Sequence, residues 1–181
     1  MFDWLGDAIE WIGKFFPRLT VIRATHRGVK FVRGKKLKLV NAGLCVHWPL
    51  VTELDVLAVS RQTINLPTQR LVTKDGKRVI TSAVVVYHIG DVMQAVGKSW
   101  DVDETINDVS MAAIAAIITR HEYEVLVKNL GSGLREQLTK ACSTELRQYG
   151  IRVRKCLLTD FCPANVIALS NSDTVNAMGE D

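Results

Sequence analysis

The apolar positions of this chain follow a helical period first and a strand period next. Residues 2–16, FDWLGDAIEWIGKFF, read at about 100° per residue, stack Asp3, Asp7, Glu10 and Lys14 on one stripe flanked by Gly6 and Gly13. Phe2, Trp4, Leu5, Ala8, Ile9, Trp11, Ile12, Phe15 and Phe16 fill the opposite half without a polar interruption. Pro17 cannot continue a helix as an interior residue, so the element is predicted to end there. At about 1.5 Å per residue the helix is roughly 24 Å long, short of the ~30 Å hydrocarbon core of a bilayer. It suits lying on a membrane rather than crossing one.

From Leu19 to about Leu66 the pattern is extended. TVIRAT, VKFVRG, KLKLVNAG, LCVHWP and ELDVLAVS are short, β-branched and broken by glycine or proline. Gly34 before Lys35 suits a tight turn inside a basic hairpin. In LVTKDGKRVITSAVVVYHIGD, residues 71–91, Asp75-Gly76 is a hairpin signal, because glycine tolerates the positive φ such turns demand. The strand after it sets Val79, Thr81, Ala83, Val85 and Tyr87 on one face and Ile80, Ser82, Val84, Val86 and His88 on the other. Both faces are largely apolar, which predicts a place deep in a sheet.

Beyond Asp91 the period turns helical. A short helix is predicted over Asp91 to Val96 and a longer one over Asp103 to about His121, its MAAIAAII run packing on the sheet. A third is predicted from about Ser132 to Tyr149, with Leu134, Leu138, Ala141 and Leu146 inward and Gly150 at C′. IRVRKCLLTDF, residues 151–161, reads as a returning strand, and the polar tail after Pro163 as loose chain.

With 181 residues, 48% of them hydrophobic and 23% charged, the chain suits one globular domain or two small subdomains with a buried core. No run approaches the roughly 18 consecutive apolar residues of a spanning helix. Asp3 and Asp7 replace the positive charge of a signal peptide, and no small-residue cleavage site follows. The expected location is therefore the cytoplasm or the cytoplasmic face of a membrane, in the latter case as a peripheral protein. Net charge is only +4 but lopsided: no acidic residue lies between Trp11 and Thr52, against nine basic ones. The rest of the chain is acidic on balance, an asymmetry that points to a polyanionic surface as partner.

Candidate chemistry is sparse. Cys45, Cys142, Cys156 and Cys162 show no CxxC spacing and are expected to be reduced, mostly buried thiols. Cys45-x-His47 would point one way on a strand, yet it supplies no four-ligand zinc pattern, so neither metal nor cofactor is expected. His26, His47, His88 and His121 are scattered, without GxSxG, HExxH or P-loop context. His88 reads as a satisfied core histidine in an apolar strand. Asp101, Asp103 and Glu104 read as a helix start. No catalytic residue is assigned, and an enzyme is the class the sequence supports least.

NAGLCVHWPLVTELDVLAVSRQTINLPTQ, then Thr73, Lys74, Asp75 and Gly76 within LVTKDGKRVITSAVVVYHIGD, then Tyr149-Gly150-Ile151-x-Val153, follow one another as in a known family. In these stretches the chain resembles the SPFH or Band 7 family (stomatin, prohibitin, flotillin, bacterial HflK/HflC). The likeness runs from about Arg27 to Pro163; the helical part matches mainly in spacing and in Arg120 and Arg135. It implies an α+β fold, with a mostly β first half at the membrane and helices packed on a second sheet, and it implies no catalytic residues. Such proteins are membrane-attached scaffolds that oligomerise, often into rings, and organise lipids or membrane proteases. Here a short amphipathic helix stands where family members have a long hydrophobic segment. The sequence also stops about twenty residues after Phe161, where they continue into a coiled coil. That departure puts cage assembly through coiled coils in doubt and leaves lateral contacts between domains open.

The expected organisation is an amphipathic membrane-associating helix over 1–17, a β-rich subdomain over 18–90, an α/β subdomain over 91–163 and a polar tail over 164–181. Expected membrane contacts are Phe2, Trp4, Leu5, Ile9, Trp11, Ile12, Phe15 and Phe16, at roughly 1.5–3 kcal/mol each before ordering costs. Expected headgroup ligands are Arg18, Arg23, Arg27, Lys30, Arg33, Lys35, Lys36 and Lys38, at about 1 kcal/mol for each that reaches an anionic lipid. Expected partners are membrane lipids, further copies of the chain and a membrane protease or other membrane protein. One alternative is a soluble oligomeric interaction module, such as a phage or other compact genome would carry, with the first helix as a protein contact. Another is nucleic-acid binding through 18–38, but RGVKFVRGKKLK has a single aromatic, Phe31, where single-strand binders stack several. A solvated strand face is the plainer reading.

Overall fold

A computed structural model of the chain describes residues 16–164. The helix read over residues 2–16 therefore lies outside the described residues except at Phe16, as does the tail beyond Ala164. Among the described residues, eight strands form three antiparallel sheets. β1 (Arg18–Ile22) and β4 (Gly43–His47) make a two-stranded ribbon; β2 (His26–Val32) lies between β3 (Lys36–Val40) and β5 (Thr52–Ala58). β7 (Arg78–Ile89) lies between β6 (Gln62–Val72) and β8 (Ile151–Pro163). The helices are α1 (Val92–Lys98), α2 (Val102–Ile118), α3 (Tyr123–Lys128) and α4 (Ser132–Leu146), the last followed by a 3₁₀ turn at Arg147–Tyr149. This is the α+β architecture expected.

The turns form where only certain backbones fit. Arg33 and Gly34 both take positive φ, 52° and 64°, and Lys35 N–H donates to Val32 O at 3.2 Å, closing the basic β2–β3 hairpin. Positive φ at both central residues matches the twist of the flanking strands. The β6–β7 hairpin turns at Asp75-Gly76, with Gly76 at φ 78°. Thr73 there donates its hydroxyl to Asp75 Oδ1 at 2.5 Å and to Lys77 O at 3.0 Å. Along β6 the register slips between Leu66 and Gln69, around Pro67, which has no N–H to give; an edge strand tolerates this.

α2 and α4 cover one face of the third sheet. Ile106, Ile114 and Ile118 of α2 and Leu138 and Leu146 of α4 are fully buried against Val79, Val85 and Ile151. Asp91 caps α1 by accepting Gln94 N–H at 3.1 Å, and Asp101 caps α2 by accepting the N–H groups of Asp103 and Glu104 at 2.9 and 3.1 Å. β7 is central, as expected, but only its Val79–Ile89 row is buried. Ile80, Ser82, Val84, Val86 and His88 are half-buried, because no described element lies over that face. The ribbon packs on the middle sheet through Ile22: a Cβ on Gly28 would stand 2.9 Å from Ile22 Cδ1.

Candidate functional site

Alternation in the ribbon sorts its residues into two rows. Thr20, Ile22, Cys45 and His47 turn toward the middle sheet, with Ile22 and Cys45 buried. The outward row is wholly apolar. Leu19 stands opposite Val46 and Val21 opposite Leu44, at 67%, 54%, 71% and 69% exposure. Cross-strand neighbours on one face have Cβ atoms about 5 Å apart, so the four make one continuous patch. Leaving such a patch in water forgoes roughly 1.5–3 kcal/mol per side chain, which marks it as a contact surface.

The patch continues into a fixed turn. After β4, Trp48 and Leu50 project into solvent while Thr52 ties the backbone beneath them. Thr52 N–H and hydroxyl both donate to Trp48 O, at 2.9 and 2.8 Å, and the Thr52 hydroxyl accepts Trp48 N–H at 3.1 Å. Arg33 N–H donates to Val51 O at 2.9 Å, which locks the tip of the basic hairpin against this apolar turn. A cleft of about 670 Å³ lies between them, lined by Phe31, Arg33, Leu50 and Glu53 among others.

The predicted headgroup residues separate into groups. Arg33, Lys35 and Lys36 cluster, exposed, at the hairpin tip. Lys30 stands directly opposite Lys38, a like-charge pair that costs stability unless an anion or another acceptor relieves it. Lys30 Nζ finds one in Val46 O at 3.1 Å, so its charge is partly turned inward. Arg18 and Arg23 flank opposite ends of β1. Arg27 lies away from this group, in a cleft with Gly90, Arg147 and Arg152. Of the predicted membrane contacts, Phe16 is exposed and the other seven lie outside the described residues. Leu19, Val21, Leu44, Val46, Trp48 and Leu50 were not singled out from sequence. Their signal is the alternation Leu19-x-Val21 and Leu44-x-Val46, which specifies strands but not which row is covered.

His88 is not a satisfied core histidine. It is half-buried on the open face of β7, and its burial first, then Arg154, Arg152 and Arg61, hold its imidazole below the usual range. Tyr87, on the buried row, donates its hydroxyl to Asp103 Oδ1 at 3.1 Å. Burial, then the Asp103 carboxylate, push the Tyr87 hydroxyl well above the usual range. Three of the four thiols are buried and Cys162 is exposed. No helix among the described residues is long and apolar enough to cross a membrane.

Comparison with known proteins follows the same lines. The sequence matches the model of the SPFH domain / Band 7 family over residues 20–177. An uncharacterized protein of Archaeoglobus fulgidus is 24% identical over 157 residues, covering 87% of this chain and 63% of its own length. A putative band 7 family protein of Acanthamoeba polyphaga mimivirus is 21% identical over 156 residues, covering 86% and 51%. A stomatin homolog of Pyrococcus horikoshii is 21% identical over 142 residues, covering 78% and 53%. The chain thus spans between about half and two thirds of the length of these relatives.

Proposed function

The chain belongs to the SPFH domain / Band 7 family, and from that premise we propose that it is a non-enzymatic, membrane-associated scaffold whose β1–β4 ribbon lies against the lipid surface. The observation that supports this reading is the outward row Leu19, Val21, Leu44 and Val46: four exposed apolar side chains on a ribbon whose other row is packed on the middle sheet. Trp48 extends the row with an amphipathic ring suited to the headgroup level. The hairpin tip adds Arg33, Lys35 and Lys36 beside Leu50, at about 1 kcal/mol for each that meets an anionic lipid. The stretch with Phe2, Trp4, Leu5, Ile9, Trp11, Ile12, Phe15 and Phe16, which the sequence pattern reads as an amphipathic helix, is proposed as a second anchor and directly precedes β1 in the chain. In this arrangement the β1–β5 part, residues 18–58, faces the lipid, and the β6–β7–β8 sheet with its helices faces away.

Assembly into homo-oligomers is part of the proposal. In the single chain β6 and β8 are the edges of the third sheet, and their outer backbone groups have no strand partner among the described residues. Such edges are templates for a neighbouring copy. A membrane protein, a protease among the candidates, is the class of client such a scaffold organises. Flotation with phosphatidylcholine vesicles, with and without phosphatidylserine, tests the attachment. Co-flotation that strengthens with the anionic lipid is expected; failure to float with either vesicle overturns the reading. Mass photometry of the floated fraction reads the copy number.

A further inference from the structure

On the side of the molecule formed by β8 and α4, two clefts of about 450 Å³ each meet and share Arg147, Ile151 and Arg152. Arg27 of β2 lines the first and His88 and Arg154 line the second. His88 and Arg152 are direct cross-strand neighbours on the open face of the third sheet. Four arginines and a histidine thus line the two adjoining clefts, which together form the groove, and Asp91 is the carboxylate residue among the linings. That carboxylate is already engaged, accepting Gln94 N–H and Gln94 Nε2–H at 3.1 Å each as the cap of α1. Among the described residues the one ion pair is Lys77–Asp75, so none of these arginines has a carboxylate within 4.0 Å.

The groove is built rather than a chance run of surface charge. The backbone junction behind it is rigid: Gly90 and Asp91 both donate their N–H groups to Gly150 O, at 2.9 and 3.0 Å, and Gly150 sits at φ 73°. This junction sets Arg147, just before Gly150, beside Arg152, just after it. The Arg152 side chain lies flat over Gly90: a Cβ there would stand 2.8 Å from Arg152 Nε and 3.1 Å from Cδ. A glycine at 90 is what lets this guanidinium rest between the two clefts. Like charges held together this way repel one another, and a compact ligand of several negative charges removes the repulsion. Guanidiniums match phosphate oxygens through paired N–H donors.

We propose that the groove of Arg27, His88, Arg147, Arg152 and Arg154 is a binding site for a ligand carrying two or more adjacent phosphate groups. The inference is independent of the membrane reading, since none of the ribbon's outward residues lines the groove. A soluble polyphosphate compound and a phosphorylated lipid headgroup share the required chemistry.

Calorimetric titration of the full chain with sodium tripolyphosphate tests the site. Saturable binding is expected, with the His88 imidazole resonances shifting as the site fills. Arg147→Ala/Arg152→Ala is expected to weaken binding at least tenfold, against less than twofold for Lys74→Ala/Lys128→Ala, which removes equal charge from elsewhere on the surface. Gly90→Ala keeps every charge and forces only the flexible Arg152 side chain to move, so a weakening of threefold or more shows that the geometry matters. Competition by vesicles bearing a phosphoinositide, but not by phosphatidylserine vesicles of equal charge, assigns the ligand to a lipid headgroup; no competition by either assigns it to a soluble compound. Undetectable binding, equal loss in the two double variants, or equal affinity for polyglutamate overturns the proposal.

Discussion

The carbonyl oxygen of Gly150 accepts N–H groups from both Gly90 and Asp91, and a side chain on Gly150 would run into the Asp91 carbonyl oxygen. The end of β7, the start of α1 and the start of β8 are therefore joined at a residue that has to be glycine twice over, for its φ of 73° and for this approach. Gly150→Ala is expected to lower the unfolding free energy by at least about 2 kcal/mol, from left-handed strain and displacement of the junction. A urea midpoint within error of the parent's would refute this.

Tyr87 makes a pH-dependent contribution. The hydroxyl ionises near 10.0 when unperturbed, and burial, then Asp103, keep the folded group protonated beyond that. Folded and unfolded states bind protons equally below pH 10.0, so the contribution is complete there; as pH rises the unfolded state ionises first and stability falls. Tyr87→Phe loses the hydrogen bond, about 1 kcal/mol at neutral pH, and also the alkaline penalty. The stability curves of parent and variant should converge above pH 10.0, and curves that stay parallel would count against the assignment.

Asp75 works in the opposite sense. Its carboxylate accepts the Thr73 hydroxyl and Tyr123 N–H, the latter at 3.1 Å, and Lys77 Nζ lies 3.6 Å away. The Thr73 hydrogen bond first, then Tyr123 N–H and Lys77, outweigh desolvation and hold its carboxyl below 3.8. The stabilisation is present above that value and is lost as pH falls through the depressed folded value. Asp75→Asn can still accept both hydrogen bonds but carries no charge. Its deficit in Tm should be visible at about pH 6 and shrink toward about pH 2; a deficit constant across that range would rule out the charge as its source.

These residues also show what the sequence could convey. Asp75-Gly76 and Gly150 were legible because a turn or helix end that needs positive φ leaves glycine as the practical choice. Val79 to Ile89 was legible because β-branched residues in alternation have few other uses. Tyr123–Lys128 is too short, at six residues, to display a helical period, and it was missed. The open face of β7 was misjudged because Val84 and Val86 read as buried, whereas nothing described covers them. The arginine groove was invisible for a different reason: Arg27, His88, Arg147 and Arg152 come from β2, β7, the turn after α4 and β8. No local pattern records that these meet.

The thiols offer a direct check on packing. Cys45, Cys142 and Cys156 are buried and Cys162 is exposed near the end of β8. A hydrogen bond with Cys142 first, and burial next, push the Cys156 thiol far above its usual range, so it does not form the reactive thiolate. Native protein should titrate one thiol rapidly with a disulfide reagent, and Cys162→Ser should abolish that phase. A fast thiol at Cys142 or Cys156 would show that the α4–β8 interface opens readily, and one at Cys45 that the ribbon lifts off the middle sheet.

The ribbon separates membrane docking from folding. Leu19 and Val46 are already in water, so replacing both with serine should change the unfolding free energy by under about 1 kcal/mol, as for surface substitutions generally. If the outward row enters the lipid surface, the same pair loses roughly 1.5–3 kcal/mol per side chain of transfer energy, and vesicle partitioning should fall by at least tenfold. The companion change Thr20→Ala alters the inward row and should leave partitioning intact. Retained partitioning by Leu19→Ser/Val46→Ser would shift attachment to the first helix, and deleting residues 1–16 in that background would then be expected to release the protein from vesicles. The two outcomes are separable because the outward row contributes almost nothing to the core, and any loss of binding it causes cannot be charged to unfolding.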